Sequence, residues 1–201
     1  KHRFPNLVCE KLSAYWKEKD AEVELKLNYE NLDKYERVYI SKVFTDTWVP
    51  DWIANGVNMD TGEVTLPENI FVGGTGFFFE KAPDLDPEIE HHMPDYHLYD
   101  DWIAGEVKKA EEERKKAGKK FNRASFMIQF KEYTDYSIGF VTRGCFRKCP
   151  FCVNQKYDHV FCHSPLEEFY DSSRKKICLL DDNVLGCPSW KEILEKLISM
   201  K

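Results

Sequence analysis

Periodicity and alternation of apolar residues divide the chain before any motif does. Lys1 to Lys19 carries Leu7, Leu12, Tyr15 and Trp16 as an apolar stripe with Cys9 at its margin, which predicts an amphipathic helix with Pro5 in its first turn. Ala21 to Leu27 alternates, putting Val23, Leu25 and Leu27 on one face of a half-exposed strand. Asn28 to Lys34 is polar and suits a turn or short helix. Arg37 to Phe44 is rich in β-branched and aromatic residues and reads as a buried strand. Trp48 to Gly62 is loop-like. Asn69 to Val72 is another short strand that runs into Gly73-Gly74-Thr75-Gly76, a glycine turn without the G-x-G-x-x-G spacing of a dinucleotide loop.

Phe77 to Phe79 leads into a connector punctuated by Pro83, Pro87 and Pro94. The adjacent His91 and His92 would point roughly 100° apart on a helix, so they read as surface residues rather than as shared metal ligands. Asp100 to Lys120 is a charged helix anchored by Trp102, Ile103 and Val107, with Gly118 as its stop. Ala124 to Lys131 reads as a strand pairing with Tyr136 to Val141. Leu166 to Tyr170 fits a short helix. Lys176 to Leu180 is a buried-strand pattern ending in Asp181-Asp182-Asn183. Trp190, Ile193, Leu194, Leu197 and Ile198 form the stripe of a last helix capped by Ser189.

Composition narrows the class. The chain has 201 residues, a hydrophobic fraction of 42% and a formal charge of −6, enough apolar content for a core. Mild acidity gives no support to a general nucleic-acid or membrane-surface role. No segment is apolar for long enough to cross a bilayer and the start is not signal-like. Six of the seven cysteines lie after residue 144. A disulfide scaffold would spread and pair them, so clustering favours reduced thiols, a metal and a cytosolic compartment.

The chemistry concentrates in Tyr136 to Cys152. An apolar run ends at Arg143-Gly144, and Cys145, Cys149 and Cys152 follow in the spacing C-x3-C-x2-C. Three thiolates are one short of the four that close a structural zinc site or a fully cysteine-ligated iron–sulfur cluster. A three-ligand centre leaves one coordination position for a substrate or cofactor. A zinc knuckle completed by Cys162 or His163 is the alternative reading of the same residues. Cys9 and Cys178 read as core filler.

Cys145, Cys149 and Cys152, with the aromatic Phe151 before the last cysteine, resemble the cluster loop of the radical S-adenosylmethionine enzymes. The resemblance implies a 4Fe–4S cluster held by the three cysteines, S-adenosylmethionine on the fourth iron, and Phe151 near its adenine. It implies reductive cleavage of that cofactor to a 5′-deoxyadenosyl radical acting on an unknown substrate. Asp181-Asp182-Asn183-Val184 resembles the family's second barrel strand end, whose polar residues face the cofactor's amino-acid part. Val38-Tyr39-Ile40-Ser41 and Val72-Gly73-Gly74 look like the cobalamin-binding domain that precedes the cluster domain in one large class, and Pro94 to Tyr99 resembles the P-D-Y-x-L-Y linker between them. The cobalt-ligating D-x-H-x-x-G has no counterpart: His2 stands outside the pattern and Phe4-Pro5-Asn6 replaces the glycine. Cobalamin and an empty or repurposed cleft both stay open.

The expected architecture is therefore α/β. A cobalamin-binding-like, doubly wound, flavodoxin- or Rossmann-like sheet lacking its first strand would occupy 1–98, a charged helical linker 99–135, and the first βα units of a partial barrel 136–201. A βα barrel of eight units takes about 200 residues or more, so a missing C-terminal part or a partner chain is expected to complete it, and this stretch alone to be inactive. The rival reading is a non-catalytic binding or assembly module stabilised by zinc or an iron–sulfur cluster.

Overall fold

A computed structural model gives the protein's structure and describes residues 4–200. His2 lies outside the described residues. The chain is mixed α/β with small parallel sheets. Its elements are α1 (Leu7–Glu18), β1 (Val38–Ser41), α2 (Asp51–Ala54), β2 (Ile70–Gly73), α3 (Thr75–Phe78), α4 (Pro87–Glu90) and α5 (Asp100–Lys116). They continue with α6 (Arg123–Met127), α7 (Lys131–Thr134), β3 (Tyr136–Gly139), β4 (Thr142–Arg143), β5 (Phe161–Cys162), β6 (Lys176–Leu179) and α8 (Trp190–Ser199). Among the described residues no helix is long and apolar enough to cross a membrane.

The elements group into two compact units, each assembled from three separated stretches. One comprises Lys1–Leu25, Glu88–Phe140 and Ser164–Leu180. Here β3 and β6 pair in parallel, from Tyr136 opposite Lys176 to Gly139 opposite Leu179. α1 begins at Asn6, whose side chain accepts a hydrogen bond from the Cys9 amide and satisfies one of the orphan donors of the first turn. Pro5 thus lies before the cap rather than in the first turn. α5 ends as expected at Gly118, whose φ of +65° permits the Lys119 amide to reach back to the Arg114 carbonyl and the Gly118 amide to the Lys115 carbonyl.

The Pro94–Tyr99 segment ties this unit together through its side chains. Asp95 accepts from the Ser13 hydroxyl at 2.6 Å and from Lys17 at 2.7 Å. The buried Tyr96 hydroxyl donates to the Phe169 carbonyl at 2.6 Å and accepts from the Ile138 amide at 2.8 Å. The Arg174 guanidinium lies 4.2 Å from the Tyr96 ring centre and donates to the carbonyls of Tyr96, Tyr133 and Tyr136. Tyr99 accepts from the Asn6 amide and packs with Ile103, Val107, Phe130 and Tyr133.

Two strand expectations are corrected in this unit. Residues 124–131 are helical: Asn122 caps α6 by accepting from the Ser125 amide, and Phe126, Phe130 and Tyr133 recur at helical spacing into the aromatic cluster under α5. The strand β3 therefore pairs with β6, not with 124–131. Residues 21–27 alternate but form no strand, because among the described residues no strand pairs with them to take their backbone hydrogen bonds. Leu25 packs on the aromatic cluster, whereas Leu27 is 63% exposed.

The second unit comprises Lys26–Pro87, Val141–His163 and Asp181–Lys201. β1 and β2 pair in parallel, Val38 opposite Ile70 through Ser41 opposite Gly73. The strand expected over 37–44 is thus shorter and half-buried. The 48–62 stretch is less loop-like than expected: it holds α2 and an isolated bridge of Val57 to Val64. Val49, Ile53 and Val57 form a core with Phe77 and Phe78. The glycine turn is tight: Gly74 has φ +98°, and a β-carbon there would fall 2.3 Å from the Lys42 carbonyl oxygen. In α8 the expected helix is present, but the Ser189 side chain makes no capping bond.

Two outcomes follow for the first unit. Glu10 is buried on α1, and desolvation raises its carboxyl from an ordinary 4.5 to about 8, opposed by Arg174 and reinforced by Asp95. The folded chain keeps that proton while the unfolded chain sheds it above pH 4.5, so stability falls between pH 4.5 and 8 and levels off beyond. Glu10→Gln should flatten this slope in urea titrations at stepped pH; an unchanged slope would refute the assignment. Gly139 faces the Phe169 ring so closely that an added β-carbon would lie 2.3 Å from its Cγ. Phe169 is itself buried, so Gly139→Ala should lower stability by about 1–3 kcal/mol, read from the same denaturation midpoints.

Candidate metal centre

The candidate centre belongs to the second unit and is built on a short antiparallel hairpin. β4 pairs with β5, Thr142 opposite Cys162 and Arg143 opposite Phe161. Between them the chain leaves regular structure at Gly144 and carries Cys145, Cys149 and Cys152 on one open loop before a 3-10 turn at Val153–Lys156. Gly144 is required at the exit. Its φ is +86°, and a β-carbon would meet the His159 carbonyl oxygen at 2.3 Å.

Asp181 fixes the start of the hairpin. Its carboxylate accepts from the Val141 amide at 3.2 Å and from both the amide and the hydroxyl of Thr142. Its oxygens are thereby engaged by the chain itself. Asp182 beside it is exposed and Asn183 half-buried. The turn Val184–Gly186 follows, and it packs close to the loop: a β-carbon on Gly186 would lie 2.9 Å from both Phe146 and Val160.

Side chains, rather than a helix or sheet, hold the loop. Lys148 donates to the Gln155 carbonyl at 2.8 Å and to the Tyr157 carbonyl, and the Gln155 amide donates to the Cys149 carbonyl. The Cys152 amide donates to the Cys149 carbonyl at 3.0 Å. Two sulfurs accept backbone amides at 3.5 Å: Cys145 from Arg147 and Cys152 from Asn154. Such N–H donors to sulfur recur around cysteine-held clusters. Cys145, Cys149 and Cys152 are all free of disulfides and half-buried, and Phe151 is 85% exposed.

In kind, the donor set therefore suits a thiolate-held metal centre. In arrangement it is open: among the described residues no group of three or more His, Cys, Asp or Glu side chains is placed to hold a metal ion. Binding would require the sulfurs to converge, which the loop's lack of regular structure permits. His91 and His92, in the other unit, take separate partners, Glu168 at 2.7 Å and Glu18 at 2.8 Å. One arrangement has no signal in the local sequence: the sulfurs of Cys162 and Cys187 lie 3.6 Å apart. Comparison of the sequence with protein-family models, curated proteins and solved structures finds no match in any of the three.

The Asp181 bonds generate a prediction. A carboxylate accepting several hydrogen bonds contributes about 1.5–3 kcal/mol for a strong one, so Asp181→Ala should lower stability by about that amount and loosen 141–143. Hydrogen exchange should show faster exchange at the Val141 and Thr142 amides. Exchange unchanged at those two positions would overturn the assignment.

Proposed function

We propose that the chain is a radical S-adenosylmethionine protein, with Cys145, Cys149 and Cys152 holding a 4Fe–4S cluster. The observation that carries this reading is the set of three free thiols in C-x3-C-x2-C spacing on one open loop, two of them already accepting backbone amides. Three ligands leave one iron for the cofactor. When bound, such a cluster supplies the electron that cleaves S-adenosylmethionine to methionine and a 5′-deoxyadenosyl radical. The chain's own residues then bind and orient. Phe151, next to Cys152 and almost fully exposed, offers its ring face to the adenine. Asp182 and Asn183 would accept from the cofactor's ammonium group. Asp181, committed to Val141 and Thr142, keeps the hairpin below the loop in register.

The finer architecture belongs to the same proposal. β1 and β2 would be part of a doubly wound, flavodoxin-like sheet related to cobalamin-binding domains, and β3 and β6 the first strands of a partial barrel. Both pairs are parallel, as those folds require. The tight turn at Gly74 is where a nucleotide tail could approach the backbone, which keeps cobalamin as an alternative to an empty cleft. Free thiols at all seven cysteines suit a reducing, cytosolic setting.

Anaerobic reconstitution with ferrous iron and sulfide tests the centre. The expected result is a brown protein with broad absorption near ~400 nm, characteristic of iron–sulfur charge transfer. The colour should vanish in the triple Cys145→Ala, Cys149→Ala, Cys152→Ala variant and persist in Cys162→Ser. A colourless protein that takes up stoichiometric zinc would sink the proposal in favour of a non-catalytic, metal-stabilised module.

A further inference from the structure

The Cys162–Cys187 contact lies outside the proposed cluster and asks for its own account. The two sulfurs are 3.6 Å apart although 25 positions separate them in sequence. Cys162 sits on β5, opposite Thr142, with its side chain exposed. Cys187 follows the Val184–Gly186 turn, its amide donating to the Val184 carbonyl at 3.0 Å, and is 2% exposed. Two cysteines packed merely as apolar filler would both be sheltered. Here one faces solvent and its neighbour is held directly behind it. The backbone around both is anchored, by the β4–β5 pairing on one side and by the Asp181 bonds and the close-packed Gly186 on the other. The sulfurs are therefore kept within a side-chain rotation of bonding distance.

From this geometry we infer that Cys162 and Cys187 form a reversible thiol–disulfide site, Cys162 being the attacking and Cys187 the resolving sulfur. The oxidant is a small-molecule disulfide of the glutathione class. The Cys162 thiolate, having released its proton to water, attacks one sulfur of the oxidant. The oxidant's S–S bond breaks, one thiolate leaves and is protonated, and a mixed disulfide remains on Cys162. Cys187, also losing its proton, then attacks the Cys162 sulfur and expels the second thiol. Two protein thiols are oxidised to one disulfide, and one oxidant disulfide is reduced to two thiols. The product bridges the hairpin that carries the cysteine loop to the turn that leads into α8. Closing that loop removes open states from the unfolded chain and stiffens the base of the candidate centre.

The test uses the full 201-residue protein, reduced, desalted and free of metal, and incubated with oxidised glutathione. Non-reducing peptide mapping should recover a Cys162–Cys187 cross-link as the dominant product, reversed by dithiothreitol. Oxidation should raise the thermal midpoint by several degrees. Cys187→Ser should trap glutathione on Cys162 as a stable mixed disulfide, whereas Cys162→Ser should leave Cys187 unmodified under native conditions. A mixed disulfide that persists on Cys162 in the unsubstituted protein would overturn the inference. So would cross-links distributed mainly among Cys145, Cys149 and Cys152. None of these readouts requires iron, so failure here leaves the cluster proposal standing, and failure of reconstitution leaves this one.

Discussion

The grip of Asp181 on Val141 and Thr142 is the contact on which the candidate centre depends. One carboxylate, arriving just after β6, takes two consecutive amides and a hydroxyl from the chain just after β3. Parallel strands offer no tight turn to join their ends, so some cross-chain contact must fix where their continuations run. Asp181 supplies it with charge-assisted bonds, which are roughly twice as strong as neutral ones. With Thr142 pinned, β4 starts at a defined residue, β5 pairs against it, and Gly144 turns the chain out into the cysteine loop. The same anchor positions the turn that carries Cys187 toward Cys162.

The first unit solves a comparable problem with an aromatic residue and a cation. Tyr96 donates with its hydroxyl and accepts with it, linking Phe169 to Ile138 inside an apolar setting where either group left alone would be costly. Arg174 covers the ring and collects the carbonyls of Tyr96, Tyr133 and Tyr136. A guanidinium suits this because its rigid fork offers several donors at once. Both act on β3, Tyr96 through the Ile138 amide and Arg174 through the Tyr136 carbonyl.

Local pattern reported some of this faithfully. The Gly118 stop and the apolar runs at 37–44 and 176–180 are legible in the sequence, each run holding a strand shorter than itself. Pattern failed where a partner decides the outcome. The alternation of Val23, Leu25 and Leu27 records which side chains share a face but not whether another strand is alongside. At 124–131 a dense apolar cluster concealed the i, i+4, i+7 spacing of Phe126, Phe130 and Tyr133, and the Asn122 cap was the local signal that could have corrected it. Asp181 was legible as a strand-end acid, but its partners lie 39 and 40 positions earlier and no local rule selects them. The nearness of Cys162 to Cys187 is likewise a product of chain pairing.

The side-chain stitching of the loop has a further consequence. Carbonyls at 149, 155 and 157 are satisfied by Lys148 and Gln155, whose long, flexible chains can exchange partners without unwinding any helix or strand. Remodelling around an incoming ligand can thus stay confined to a dozen or so residues, with the hairpin beneath acting as a fixed frame. Any cost of bringing the sulfurs together would then be local, weakening affinity rather than the integrity of the fold.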